Sequence, residues 1–227
     1  MRRDDPNLPN LRAIAEAVGD LRDRVVFVGG ATAGLLITDP AAELVRATQD
    51  VDAIVEAQLG EFHRIEEQLA ARGFVRDIES GVICRWIYSE SRILFDLMAV
   101  DSHVLGFSNR WYRYAVDTAR PTSLGDGLTI LMVTAPAFIA TKLEAFADRG
   151  AGDILASHDL EDVLNVVDGR EELTKEMETT PARVRDAVRT ALKQLLAHAD
   201  FNNALPGLIA DADRTDIVLR RLRRLAS

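Results

Sequence analysis

A single cysteine, Cys84, is all the 227-residue sequence holds. No disulfide can form within the chain. Cys84 sits in the apolar run Val82-Ile83-Cys84-Arg85-Trp86, where a buried, inert thiol is expected rather than a nucleophile. Positive charge is also short: 27 Lys and Arg against 36 Asp and Glu give a formal charge of -9, which argues against broad adhesion to nucleic acid. Two local basic patches remain. In one, Arg110, Arg113 and Arg120 alternate with Trp111, Tyr112 and Tyr114; the other is Arg220-Arg221-Leu222-Arg223-Arg224, which reads as the solvated face of a helix with Leu219, Leu222 and Leu225 inward. No apolar run approaches the roughly 18 residues of a membrane span. The start MRRDDPNLPN is too polar for a signal peptide, so a cytoplasmic protein without a membrane partner is expected. Repeats and low-complexity tracts are absent as well.

What is present begins with Val25-Val26-Phe27-Val28, a run suited to a strand buried on both faces. Gly29 and Gly30 follow, then the helix-like ATAGLLI. Two glycines between strand and helix permit a tight turn and a close backbone approach, and a phosphate fits such a turn. Residues 48–55, TQDVDAIV, alternate polar with apolar, which is strand periodicity. Asp50 and Asp52 then share one face and Val51 and Ala53 the other. Side by side, two carboxylates repel unless a cation lies between them. Oxygen ligands of this kind suit Mg²⁺.

Farther along, Val82 to Tyr88 and Arg92 to Val100 read as a hairpin about Ser89-Glu90-Ser91. Its second arm is apolar except at Asp96. A lone carboxylate in a buried strand is costly unless it is paired, hydrogen-bonded or bound to metal. Backbone amides alone could also satisfy it. Asp101, at the strand's end, is a weaker candidate.

Helical periodicity covers 8–19, after residues 1–7 that look disordered, and again Leu59 to Arg72 with Gly73 as its C-terminal cap; His63 falls at the edge of that helix's apolar stripe. Leu128 to Val133 reads as a further strand. Thr134 and Pro136 open a helix on which Lys142 and Arg149, seven apart, face one way. After the turn Gly150-Ala151-Gly152 comes an acidic helix with Asp159 and Asp162 one turn apart, and the remainder is helical. The pattern is α+β: an α/β-like core of mixed sheet and flanking helices, then a C-terminal helical bundle.

The Gly-Gly turn followed by an Asp-x-Asp strand resembles the signature of the nucleotidyltransferase superfamily. More narrowly, Phe27-Val28-Gly29-Gly30 with Arg46-x-Thr48-x-Asp50-x-Asp52 resembles the AbiEii-type nucleotidyltransferases, the toxin halves of toxin–antitoxin and abortive-infection systems. Lys142-Leu143-x-Ala145-x-x-x-Arg149 ahead of Asp159 to Asp162 is similar to their second signature. Two departures stand out: Ala31 replaces a frequent Ser or Thr, and the Gly30-to-Asp50 spacer is long, which makes Thr38 to Val45 an insertion.

The resemblance implies a catalytic domain over 1–133 and a helical domain over 134–227 that contributes Lys142 and Asp159 to the cleft. It implies Mg²⁺ or Mn²⁺ on Asp50, Asp52 and Asp96, and a nucleoside triphosphate contacted by Gly29, Gly30, Thr32, Thr48 and Arg149. Catalysis would fall to Asp50, Asp52, Asp96, Lys142 and Asp159. The resemblance points to an RNA or tRNA 3′ end for the acceptor hydroxyl, a protein hydroxyl or a small molecule being equally permitted by these residues, and to an antitoxin as the protein partner.

Two other readings stay open: a catalytically inactive module of the same fold, and a dinucleotide-binding oxidoreductase on the relaxed fingerprint Gly29-x-Ala31-x-x-Gly34. A Walker loop is excluded, since Leu35-Leu36 follow Gly34 where Lys-Ser/Thr would be required.

Overall fold

The computed structural model describes residues 4–149, 154–209 and 211–227. The turn expected at 150–152 and the first three residues lie outside them. Among the described residues the chain divides into two compact units: 4–32 with 46–134, and 33–45 with those from 135 onward.

The first unit is built on a seven-stranded mixed sheet. Val25–Val28 (β1) is buried at every position, as expected of a strand with neighbours on both edges. Asp50–Val55 (β2) runs antiparallel to it, pairing Val28 with Asp52. Phe74–Arg76 (β3) and Arg85–Tyr88 (β4) are antiparallel, and β4 continues antiparallel to Leu94–Ala99 (β5). β5 lies parallel to β2. Arg120–Gly125 (β6) and Leu128–Met132 (β7) form a hairpin whose second arm joins the other side of β1 in parallel, giving the order β3-β4-β5-β2-β1-β7-β6.

Helices of this unit flank the strands in sequence. Leu8–Ala17 (α1) turns Leu11, Ile14 and Ala15 inward, and after Ala33–Leu36 (α2, of the second unit) comes Leu59–Ala71 (α3) with Phe62, Ile65 and Leu69 buried. Gly73 ends α3 at φ +87°, where a side chain would be strained. Ser102–Leu105 (α4) is capped by Asp101, which accepts from the His103 N–H at 2.9 Å, so Asp101 is occupied in holding that turn. Tyr112–Thr118 (α5) follows.

Two expectations change, and one strand was not expected. Residues 5 and 7 are not disordered, since Asp5 and Asn7 are buried. Asn7 Nδ2 donates to the Arg46 carbonyl at 2.9 Å and its Oδ1 accepts from the Thr48 N–H at 2.7 Å, so it pins the segment that leads into β2. The strand expected from Val82 begins only at Arg85, and Val82 and Ile83 are exposed. β6 carries no strand signal because it is an edge strand containing Pro121, which an edge tolerates and a central strand does not.

The second unit is helical: Ala135–Asp148 (α6), His158–Gly169 (α7), Leu173–Glu178 (α8), Ala182–Ala197 (α9), Phe201–Leu208 (α10) and Thr215–Ala226 (α11), with α2 and the loop after it. Val184, Val188, Leu192 and Leu195 are the buried stripe of α9; Val218, Leu222 and Leu225 serve α11. Residues 37–39 are bound tightly to the end of α7. The Gly169 carbonyl accepts from Thr38 and Asp39 N–H groups, each at 2.9 Å, and a Cβ at Gly169 would stand 2.7 Å from Ile37. Arg214 Nε lies 2.8 Å from both Asp168 carboxylate oxygens and its Nη2 2.7 Å from Asp39 Oδ2. Arg214 thereby holds the Asp39 carboxyl below its usual range.

Removing the Asn7 side chain leaves a half-buried N–H at Thr48 and a carbonyl at Arg46 without this partner. Asn7→Ala is expected to lower unfolding stability by about 2 kcal/mol, read as an earlier midpoint in urea at unchanged slope.

Candidate functional site

Register decides which side chains meet. In the parallel β2–β5 pair Asp52 stands opposite Asp96, and in the β1–β2 pair it stands opposite Val28, the residue before the glycine turn. Neighbouring strands lie about 4.8 Å apart and a residue two along a strand returns to the same face. Asp50, Asp52 and Asp96 therefore share one face of the sheet.

Asp52 is aimed at the turn. Gly29 has φ +72°, and a Cβ built there would stand 1.9 Å from Asp52 Oδ2. Only glycine leaves room for that carboxylate against the backbone. The chain then tightens into a 3₁₀ turn at Gly30–Thr32, closed by the buried Thr32, whose Oγ1 donates to the Gly29 carbonyl at 2.8 Å. Thr48 likewise donates to the Asp50 carbonyl, at 3.0 Å. Both threonines expected to contact nucleotide thus have their hydroxyl protons on local backbone oxygens, where they brace the turn and the start of β2.

Arg85 brings a cation to this face. Its Nε donates to Asp96 Oδ1 at 2.8 Å and its Nη2 to Asp96 Oδ2 at 2.7 Å, a two-pronged contact, while the same Nη2 reaches Asp50 Oδ2 at 2.8 Å. Antiparallel pairing of β4 with β5 sets Arg85 opposite Asp96. The hydrogen bond to Asp96 is the main reason the guanidinium holds its proton even more firmly than usual. The next residue back, Cys84, feels burial first and then the Asp96 and Asp52 carboxylates, which push its thiol up to about 12.

Among the described residues no three His, Cys, Asp or Glu side chains are gathered as a metal-holding group. Asp50 and Asp52 still fit a hard cation: both are half-buried, all-oxygen donors on one face beside the turn. Asp96 is more buried, and both its oxygens are engaged by Arg85.

In the helical unit Lys142, on α6, is met by α7. Its Nζ lies 2.9 Å from Asp159 Oδ1 and 2.8 Å from Asp162 Oδ2, and Arg149 Nη1 lies 2.9 Å from Asp159 Oδ2. Ser157 caps α7 by accepting from the Leu160 N–H at 3.2 Å. Lys142, Asp159 and Asp162 are all largely shielded, and only Arg149 is open to solvent. This is a desolvated ion cluster joining two helices.

The architecture has a counterpart among solved structures. An antigenic nucleotidyltransferase-like protein from Paracoccidioides brasiliensis superposes with a TM-score of 0.53 at 18% identity, over 92% of this chain and 96% of that one. The fold is nucleotidyltransferase-like. JHP933 from Helicobacter pylori aligns at 12% identity over 96% of this chain and 91% of its own, with a TM-score of 0.49, too low to add to the comparison. No family model matches the sequence, and no curated protein matches it either.

On this fold, then, Gly29, Asp50, Asp52 and Asp96 come together in the sheet unit, and Lys142, Arg149 and Asp159 in the helical unit. Arg85 and Asn7 are the partners that the residue patterns did not single out. The hairpin turns through a four-residue loop at 89–92 and so sets residue 85 across from 96, whereas the three-residue turn expected at 89–91 sets it across from 95.

Replacing Lys142 by methionine strands Asp159 and Asp162 with less countercharge, so Lys142→Met should cost about 3 to 5 kcal/mol of unfolding free energy in a denaturant titration. With its thiol raised to about 12, Cys84 should resist Ellman's reagent at pH 8 in the folded protein and react promptly in urea.

Proposed function

We propose that the protein is a Mg²⁺-dependent nucleotidyltransferase of the AbiEii type, moving a nucleoside monophosphate from a triphosphate to an acceptor hydroxyl. The observation that carries this reading is the Asp52 carboxylate set against Gly29 of the paired-glycine turn, with Asp50 on the same face, on a nucleotidyltransferase-like fold. An RNA or tRNA 3′ end as acceptor, the toxin role and an antitoxin partner rest on the Arg46-x-Thr48-x-Asp50-x-Asp52 and Lys142-to-Arg149 motifs alone. The same holds for the part those motifs give Lys142 and Arg149, neutralising charge on the departing phosphates, and for Asp159 as a partner that orients Lys142 or serves the acceptor side.

Asp50 and Asp52 are the residues that would hold Mg²⁺ or Mn²⁺, which when bound supplies charge neutralisation and Lewis acidity. The missing Cβ at Gly29 is what lets the Asp52 carboxylate lie against the turn. Before an ion binds, Arg85 fixes the direction of the Asp50 carboxylate through its 2.8 Å bond. The acceptor oxygen bonds to the α-phosphorus, the bond to the bridging oxygen breaks, pyrophosphate departs, and the hydroxyl proton passes to a carboxylate of the acidic face.

A module that binds nucleotide without turning it over is the second reading, favoured by the Arg85 guanidinium lying between two of the three acids. The dinucleotide-binding reading loses its support: it requires β1 and β2 to be parallel across a helix, and they are antiparallel.

Incubating the protein with Mg²⁺, total cellular RNA and each α-labelled triphosphate in turn is expected to release pyrophosphate and label RNA with one of them. Asp50→Ala and Asp52→Ala should each lower the rate by about two orders of magnitude. No label with any triphosphate would leave the binding module, and undiminished activity in the alanine variants would remove the site assignment.

A further inference from the structure

We propose that Arg85 is a built-in counter-cation that withdraws Asp96 from metal binding, so that one divalent ion binds on Asp50 and Asp52 alone and displaces the Arg85–Asp50 bond as it does so. The inference deepens the proposed function and rests on its reading of this face as a cation site.

Asp96 meets Arg85 through both oxygens, at 2.8 and 2.7 Å. A two-pronged charged contact of this kind is among the strongest side-chain pairings. Its members are shielded, Asp96 with 9% of its side chain exposed and Arg85 with 19%. Turning Asp96 toward a metal would leave the guanidinium desolvated without its partner, and uncompensated buried charge is costly.

Asp50 differs on each count. It holds Arg85 by one oxygen only, and 34% of its side chain is exposed. The Arg85–Asp50 bond is therefore the one that gives way first, because water and the remaining Asp96 fork can replace what is lost. Asp52 lies on the same face, directed at the glycine turn.

A second ion would sit beside the fixed positive charge of Arg85. Mg²⁺ is content with few protein carboxylates, since it keeps several of its waters or takes phosphate oxygens instead.

The test is Mn²⁺ binding to the full-length protein without nucleotide, followed by electron paramagnetic resonance. Arg85→Met alone strands the buried Asp96 charge and risks misfolding, so the deciding protein is the double variant Arg85→Met, Asp96→Asn, which removes both partners at nearly constant volume. It should bind Mn²⁺ about tenfold more tightly than the wild type, because the competing cation is gone. Adding Asp50→Asn or Asp52→Asn to the double variant should abolish that gain. Weaker binding by the double variant would make Asp96 a ligand and overturn the proposal. So would equal binding, no binding by either protein, or a gain that survives loss of Asp50 or Asp52. Because the readout is ion occupancy, a tenfold gain with no nucleotide transfer would leave this inference standing and remove the enzymatic reading, and the reverse result would do the opposite.

Discussion

Three carboxylates on two adjacent strands of one sheet face repel one another, and the face persists because Arg85 reaches into it from a third strand. The order β4-β5-β2 makes this possible. β4 brings the guanidinium opposite Asp96, and β5 brings Asp96 opposite Asp52. One cation thus compensates acids that lie 35 and 11 positions away in the chain. A shift of one residue in either pairing would turn its acid or its base to the opposite face of the sheet.

The glycine turn is bound to the same arrangement from the other side. Asp52 occupies the space where any side chain at position 29 would begin. The residue that gives the turn its left-handed conformation is therefore also the one that lets the carboxylate lie against the main chain. Asn7 adds a constraint from outside the motif, fastening the stretch just before β2 to the start of α1. Strand entry, turn and acidic face form one connected set of contacts in the sheet unit.

Much of this was legible from residue patterns, because the relevant signals are local. A fully apolar β1, alternation through β2, the lone acid in β5 and the stripes of α3 and α9 each announce their element and its buried side. The Lys142 and Asp159 helices were equally plain, and the coordinates bring those two residues to 2.9 Å. Non-local facts were harder to read. Asn7 looks like part of a polar start, and nothing near it in sequence says that its amide is met by residues 46 and 48. β6 has the composition of a loop and is a strand only because β7 offers it an edge. Arg85 was hidden because the turn expected at 89–91 sets it across from residue 95, and one more residue in the loop brings it to Asp96. Thr32 and Thr48 fit a ligand-contact motif, while their actual bonds go to neighbouring carbonyls.

The two units do not correspond to two successive lengths of chain. Residues 33–45 leave the sheet after the glycine turn and supply the Asp39 carboxylate that Arg214 grips, long before the helices that receive them have been made. During synthesis the segment has no home until α7 and α11 emerge. A single cut near residue 134 would likewise release helices lacking a piece of their own interior. Expressing either half alone calls for transplanting that thirteen-residue stretch, not simply choosing a boundary.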